Sequence, residues 1–235
     1  MRWIEKSLWV GAAMMLAATA AQAQILVVRA SGPSAGRFKP GSTLPVTAKV
    51  ALKAGDVVTL LDSNSSWTLR GPGNLSVQTR QAPNAAPRLM AIDAQRARVG
   101  ATRPVDADFA TPDNIYLIDV ARPGATCVAD VSAAWLWRAD GKAFAKTTIT
   151  APDGTSAEVE WPVGQQTREW PKALPLALGA TYAMTGDTGD ARITLKPLGA
   201  PAGPVEAGQA LAANGCAAQL DLLAAQLAAI KDAGS

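Results

Sequence analysis

Apolar and polar positions alternate in short runs along most of this chain, and the runs are bounded by glycine, proline and acidic turn residues. Runs at 25–30, 46–52, 57–61, 67–69 and 75–77 read as β-strands. Their connections carry turn chemistry: Ala54-Gly55-Asp56, the polar stretch Asp62 to Ser66, and Arg70-Gly71-Pro72-Gly73. A second series of strand-like runs extends from 114 to about 198. Within it, Asp140-Gly141 and Asp153-Gly154 supply the positive-φ positions of tight turns. About seven short strands at this spacing is the signature of an immunoglobulin-like sandwich.

The last stretch changes period. Residues 205–213 are rich in Ala and Gln and stop at Asn214-Gly215, a normal helix C-terminus. Residues 216–231 place Leu220, Leu223, Leu227 and Ile230 at helical spacing. So short a heptad is expected to dock on its own β-domain, with no coiled coil formed. The predicted fold class is therefore mainly β: a small β domain, a β-sandwich and a C-terminal helical segment. Domain boundaries follow from the breakers, with a signal peptide at 1–23, a first β domain at 24–78 and a linker holding a short helix at 79–112. The sandwich then covers 113–198 and the helical segment 199–235.

The leader sets the compartment. Arg2 and Lys6 precede an apolar stretch from Leu8 to Ala21, and Ala21-Gln22-Ala23 is a small-x-small cleavage site. This is the layout of a secretory signal peptide cleaved after Ala23, and it predicts a periplasmic product. No later run approaches the roughly 18 apolar residues of a membrane span, so no transmembrane segment is expected in the mature chain.

Composition narrows the chemistry further. The chain holds 22 basic and 19 acidic residues, a net charge of +3, and no histidine. Such a balance argues against a nucleic-acid partner. Arg88, Arg96, Arg98 and Arg103 stand close together in the linker, where a solvated helix face is the expected reading over a basic stripe for an anionic polymer or lipid. The lack of histidine removes His-based triads, His-ligated metals and His proton shuttles. With two cysteines, thiolate clusters are also excluded, so neither metal nor cofactor is expected and a non-enzymatic role is favoured.

Cys127 and Cys216 are a pair in a disulfide-permissive compartment. Their bond would close a loop worth on the order of 4 kcal/mol in the chain-entropy model. Two inert buried thiols are the alternative.

The first β region resembles the periplasmic FecR-type domain of bacterial envelope signalling proteins. The matching residues are Val27-Val28-Arg29 with Gly32, Lys39-Pro40-Gly41, then Leu52-Lys53-Ala54-Gly55-Asp56-Val57-Val58-Thr59 and Arg70-Gly71-Pro72-Gly73. Family members carry a cytoplasmic anti-sigma segment and a membrane helix ahead of this domain. The resemblance here implies a free periplasmic relative, a sensor or adaptor that docks a membrane-bound or envelope protein partner. The second region is similar to Ig-like modules of exported bacterial proteins through Trp170-Pro171, Leu174-Pro175-Leu176, Gly179 and Tyr182. That similarity carries no functional residues.

Candidate binding residues are Trp135, Trp137, Trp170 and Arg70. Trp135 and Trp137 share one strand face. Exposed, they would stack on a glycan such as peptidoglycan or anchor a protein; the favoured alternative is that they fill an Ala- and Val-rich core. Trp161 and Trp170 each precede proline, which suggests strand ends, and Trp170 is the better surface candidate. Asp187 and Asp190 in Gly186-Asp187-Thr188-Gly189-Asp190 suit a hairpin tip better than a Ca²⁺ loop. Asp106, Asp108 and Asp113 also cluster. Asp56 is expected to cap the Gly55 turn. Glu158 and Glu160 share a strand face, but a sugar-cleaving pair would need a cleft between two acids.

Overall fold

The computed structural model describes residues 24–78 and 111–233. The leader, the four linker arginines, Asp106 and Asp108, and the short linker helix lie outside the described residues. The fold is mainly β with two C-terminal helices.

Strand β1 (Gln24–Ser31) is the pivot of the first region. Ile25, Leu26, Val27 and Val28 are all buried, which on an alternating strand requires a cover on both faces. β1 pairs with β2 (Thr43–Pro45) and β4 (Val57–Leu61), and β4 pairs with β5 (Ser66–Arg70), giving a sheet ordered β2-β1-β4-β5. A bulge at Val28 shifts the register, so that Val27 faces Leu60 and Arg29 faces Thr59. One face of this sheet meets a second small sheet of β3 (Lys49–Leu52) and β6 (Gly73–Ser76). Ile25, Val27, Val58 and Leu60 form the core between them with Val50 and Leu52, closed by Phe38 and Val77.

The other face is covered by helices. Leu26, Val28 and Leu61 pack with Ala207 and Leu211 of α1 (Pro204–Ala213) and with Leu220, Leu223 and Leu227 of α2 (Ala217–Ala233). The tail therefore docks on the first β region as well as on the sandwich that precedes it, because Ile115, Cys127 and Leu198 belong to the same cluster. Local chemistry sets both ends of α1. Pro204 occupies the first turn, and Gly215 takes φ 72° beyond the Asn214 cap. The Cys216 amide donates to Leu211 O (2.8 Å) and the Gly215 amide to Ala212 O (3.1 Å), a Schellman motif that turns the chain into α2.

The second region is built from β7 (Leu117–Asp119), β8 (Gly124–Val128), β9 (Trp135–Trp137) and β10 (Ala145–Thr150). It continues through β11 (Ser156–Trp161), β12 (Thr167–Glu169), β13 (Thr181–Gly186) and β14 (Ala191–Pro197). These form a five-stranded sheet, β11-β10-β13-β14-β8, and a three-stranded sheet, β12-β9-β7. One core draws on both: Ile118 and Leu136 from the smaller sheet, and Ile149, Val159, Trp161, Met184, Ile193 and Leu195 from the larger. Two layers over one core make a sandwich. The parallel pairs β8–β14 and β7–β9 were not visible in the pattern of the chain. The Tyr182 hydroxyl donates to Pro175 O and accepts from the Ala177 amide, both at 2.8 Å, the tyrosine-corner arrangement of such sandwiches.

The joint between helices and sandwich is covalent and polar. Cys127 of β8 is bonded to Cys216 between the helices, with Cα atoms 5.9 Å apart, so the two-thiol alternative is set aside. Beside it, the buried Gln219 amide lies along the outer edge of β8. Its Nε2 donates to Ile115 O (2.6 Å) and Cys127 O (2.8 Å), and its Oε1 accepts from the Cys127 amide (2.6 Å). One side chain thus takes the place of the next strand. Gln226 Nε2 donates to Asp113 O and Asn214 Nδ2 to Pro197 O farther along the same seam.

Candidate binding groove

The sandwich leaves two strand edges open on one side: β11 ends the larger sheet and β12 ends the smaller one. A groove of about 540 Å³ lies there, lined by Trp135, Glu158, Glu160, Gln166, Arg168 and Glu169 among others. A second depression of about 500 Å³ shares Trp135, Glu169 and Pro171 with it and continues past Trp170 to Leu176. Trp135 thus stands between two adjoining hollows, half-buried.

The wall of the first hollow is set by a buried cation. Arg138 follows β9 and is only 3% exposed. Its Nε donates to Gln165 O (3.0 Å) and its Nη2 to Pro162 O (3.1 Å), while the guanidinium lies 5.4 Å from the centre of the Trp161 ring. Burial lowers its pKa, but the group stays cationic because the ordinary value is so high. The guanidinium therefore pins the 162–166 turn between β11 and β12. Arg168 closes the gap itself, donating from Nε to Glu160 O (2.7 Å).

Charge on the β11 side is organised around one ammonium. Lys146 Nζ lies 2.7 Å from Glu158 Oε1 and 3.3 Å from Glu160 Oε1. Those two hydrogen bonds raise the pKa of Lys146. A cleft with two acids exists, yet both carboxylates are half-exposed and held to Lys146. A desolvated carboxylic acid, which a general acid for glycoside cleavage needs, is not present in that pair.

The structure divides the sequence candidates. Trp135 lines the groove. Trp137 is 3% exposed and so is not part of a two-tryptophan platform, although it shares a strand face with Trp135. Trp170, expected at the surface, is 8% exposed: its ring meets Tyr182 edge-on at 5.0 Å and its Nε1 donates to Leu174 O (2.7 Å). Trp161 does end a strand but is fully buried, with Nε1 donating to Thr147 Oγ1 (2.8 Å). Arg70 is exposed at the end of β5, on the turn into β6 and remote in sequence from the groove. Arg168, Gln166 and Glu169 went unnoticed because the chain shows only a short polar strand there; their meeting with β11 is a tertiary event.

The carboxylates elsewhere serve the backbone. Asp56 is buried, and its Oδ1 accepts from the Ser34 amide (2.8 Å) and its Oδ2 from the Lys53 amide (2.6 Å). Burial pushes its pKa up, but the hydrogen bonds from Ser34 and Lys53 outweigh that and the net displacement is downward. Asp56 thus caps its turn as expected and also ties it to the loop after β1. Asp153 is held low by the Thr155 amide and hydroxyl at the hairpin tip. Asp187 accepts from the Lys146 amide and Asp190 from the Gly186 amide, as a hairpin tip requires. Among the described residues no three acidic or cysteine side chains gather to hold a metal ion, and no helix is long and apolar enough to cross a membrane.

No protein-family model, curated protein or solved structure matches this chain.

Proposed function

We propose that this chain is an exported, non-enzymatic envelope protein, a sensor or adaptor that binds a protein partner in the periplasm. The reading rests on the leader, on the FecR-type resemblance of residues 25–78 and on a disulfide suited to an oxidising compartment. The observation that carries it is the helix pair. It packs on β1 and β4 of the first region and is bonded through Cys216 to β8 of the sandwich. A surface on one β region is thereby held in fixed relation to a surface on the other, which is what an adaptor needs. The exposed turn at Arg70-Gly71-Pro72-Gly73 is the proposed docking point of the partner.

The test is capture from envelope extract with the oxidised chain as bait, beside an Arg70→Ala variant. A specific membrane-bound or envelope protein held by the parent and lost with R70A supports the reading. Recovery of no specific protein counts against it.

A second reading, a glycan-binding module, is favoured by the half-buried Trp135 between its two hollows. It now depends on one tryptophan instead of three.

A further inference from the structure

We propose that the groove between β11 and β12 binds a neutral carbohydrate chain, with the Trp135 indole as its stacking platform and Glu160, Arg168 and Glu169 as its hydroxyl-binding groups. The proposal deepens the glycan-binding reading and is independent of the protein partner at Arg70.

The lining chemistry argues for sugar. A pyranose ring offers an apolar C–H face and a rim of hydroxyls, each both donor and acceptor. The half-buried indole presents a large flat apolar surface that costs little entropy to fix. The carboxylates around it are planar and provide paired acceptors for neighbouring hydroxyls, and the Arg168 guanidinium, held by its Nε on Glu160 O, keeps its terminal nitrogens as donors. Glu169 sits directly opposite Trp135 on the paired strand β12, so platform and acceptor are adjacent. The two hollows, about 540 and 500 Å³, meet at Trp135, Glu169 and Pro171, and each falls within the range of ligand-binding clefts. That geometry suits a chain of several rings crossing the indole.

The same residues argue against other ligands. Around the two hollows Glu158, Glu160 and Glu169 are matched by Lys146, Arg168 and Lys172, so the site carries no net positive charge to draw an anionic polymer. An extended peptide added as a strand to β11 would need its outward backbone acceptors. Glu160 O already receives Arg168 Nε, so strand addition there would compete with that side chain. With Glu158 and Glu160 both bound to Lys146, the groove is arranged to hold a sugar and not to cleave it.

The preorganisation also has a visible cause. Arg138 fixes the 162–166 turn from beneath, and Arg138 N donates to Gln166 O (2.9 Å), so the groove wall is built before ligand arrives.

Calorimetric titration of the oxidised chain tests this with three probes: β-1,4-linked tetramers of N-acetylglucosamine and of glucose, and a tetramer of galacturonate. At least one neutral tetramer is expected to bind in the micromolar to millimolar range, and the anionic one to bind more weakly. Trp135→Ala is expected to weaken binding about tenfold or more. Arg168→Gln, which leaves the indole in place, should weaken it several-fold and guards against misfolding of the tryptophan variant. Absence of binding by both neutral tetramers at millimolar concentration overturns the proposal. Unchanged affinity in both variants, or preference for the galacturonate tetramer, overturns it too. If the sugars fail while the Arg70-dependent capture succeeds, the adaptor reading stands and the carbohydrate assignment falls; the converse result separates them the other way.

Discussion

Replacing Gln219 with leucine should open the joint between the helices and the sandwich. The side chain is 7% exposed and makes three hydrogen bonds to backbone groups of Ile115 and Cys127. Leucine has nearly the same size and suits the apolar cluster around it, so the packing term changes little. What changes is pairing. The Cys127 amide and carbonyl and the Ile115 carbonyl lose a buried partner. At about 1 kcal/mol net for each bond, the loss comes to about 3 kcal/mol. For a chain of this size that corresponds to a fall of roughly 6–12 °C in Tm. Urea unfolding of the oxidised protein, followed by far-UV circular dichroism, measures it as a shift in midpoint at constant slope. Gln226→Leu is the control, because that bond to Asp113 O lies at an exposed position and should cost no more than about 0.5 kcal/mol. A Q219L variant within about 0.5 kcal/mol of the parent, or one no worse than Q226L, would show that β8 does not depend on this amide for its free edge.

Two further predictions address the first β region. Asp56 has a folded-state pKa below its unfolded value, so the unfolded chain takes up its proton first. Its stabilisation is therefore complete above about pH 4 and is lost as the pH falls through the lower folded value. Urea midpoints measured from neutral pH down to about pH 3 should fall less steeply in Asp56→Asn than in the parent, and an identical slope would refute the assignment. Gly208 lies in the interior of α1, where alanine would normally add about 1 kcal/mol of helix stability. Here a Cβ would fall on Leu26 Cδ2, which is fully buried, so Gly208→Ala should instead destabilise by about 1–2 kcal/mol through overpacking. Recovery of part of that loss in the Gly208→Ala, Leu26→Val double variant would confirm the contact, and a more stable single variant would refute it.

The chain by itself determined its local elements, because their causes are local. Alternation at 145–150 and the Asp153-Gly154 pair specify one hairpin, and Gly154 does adopt φ 86°, whereas Gly141, expected to do the same, is not among the positive-φ glycines. Asn214-Gly215 ends α1 for the same short-range reason. Even the continuous apolar run from Ile25 to Val28 carried a trace of the tertiary answer, since a strand apolar on both faces must be covered on both. It did not say by what. The cover came from helices almost 180 residues later, and no periodicity reports a partner at that range.

The tryptophans show the same limit. Alternation puts Trp135 and Trp137 on one face, and it cannot tell which stretch of that face another segment will cover. The structure buries Trp137 and leaves Trp135 half-open between two hollows. Trp170 was drawn inward by Tyr182 and Leu174 O, contacts that depend on how the 171–180 loop closes over the core. Strand edges, parallel pairings and the groove between β11 and β12 were likewise settled only when sheets with separate local codes were brought together. Hydrophobic burial is non-directional and selects which faces are hidden; the order in which the strands then lie side by side is decided by loop geometry and by contacts far apart in the chain.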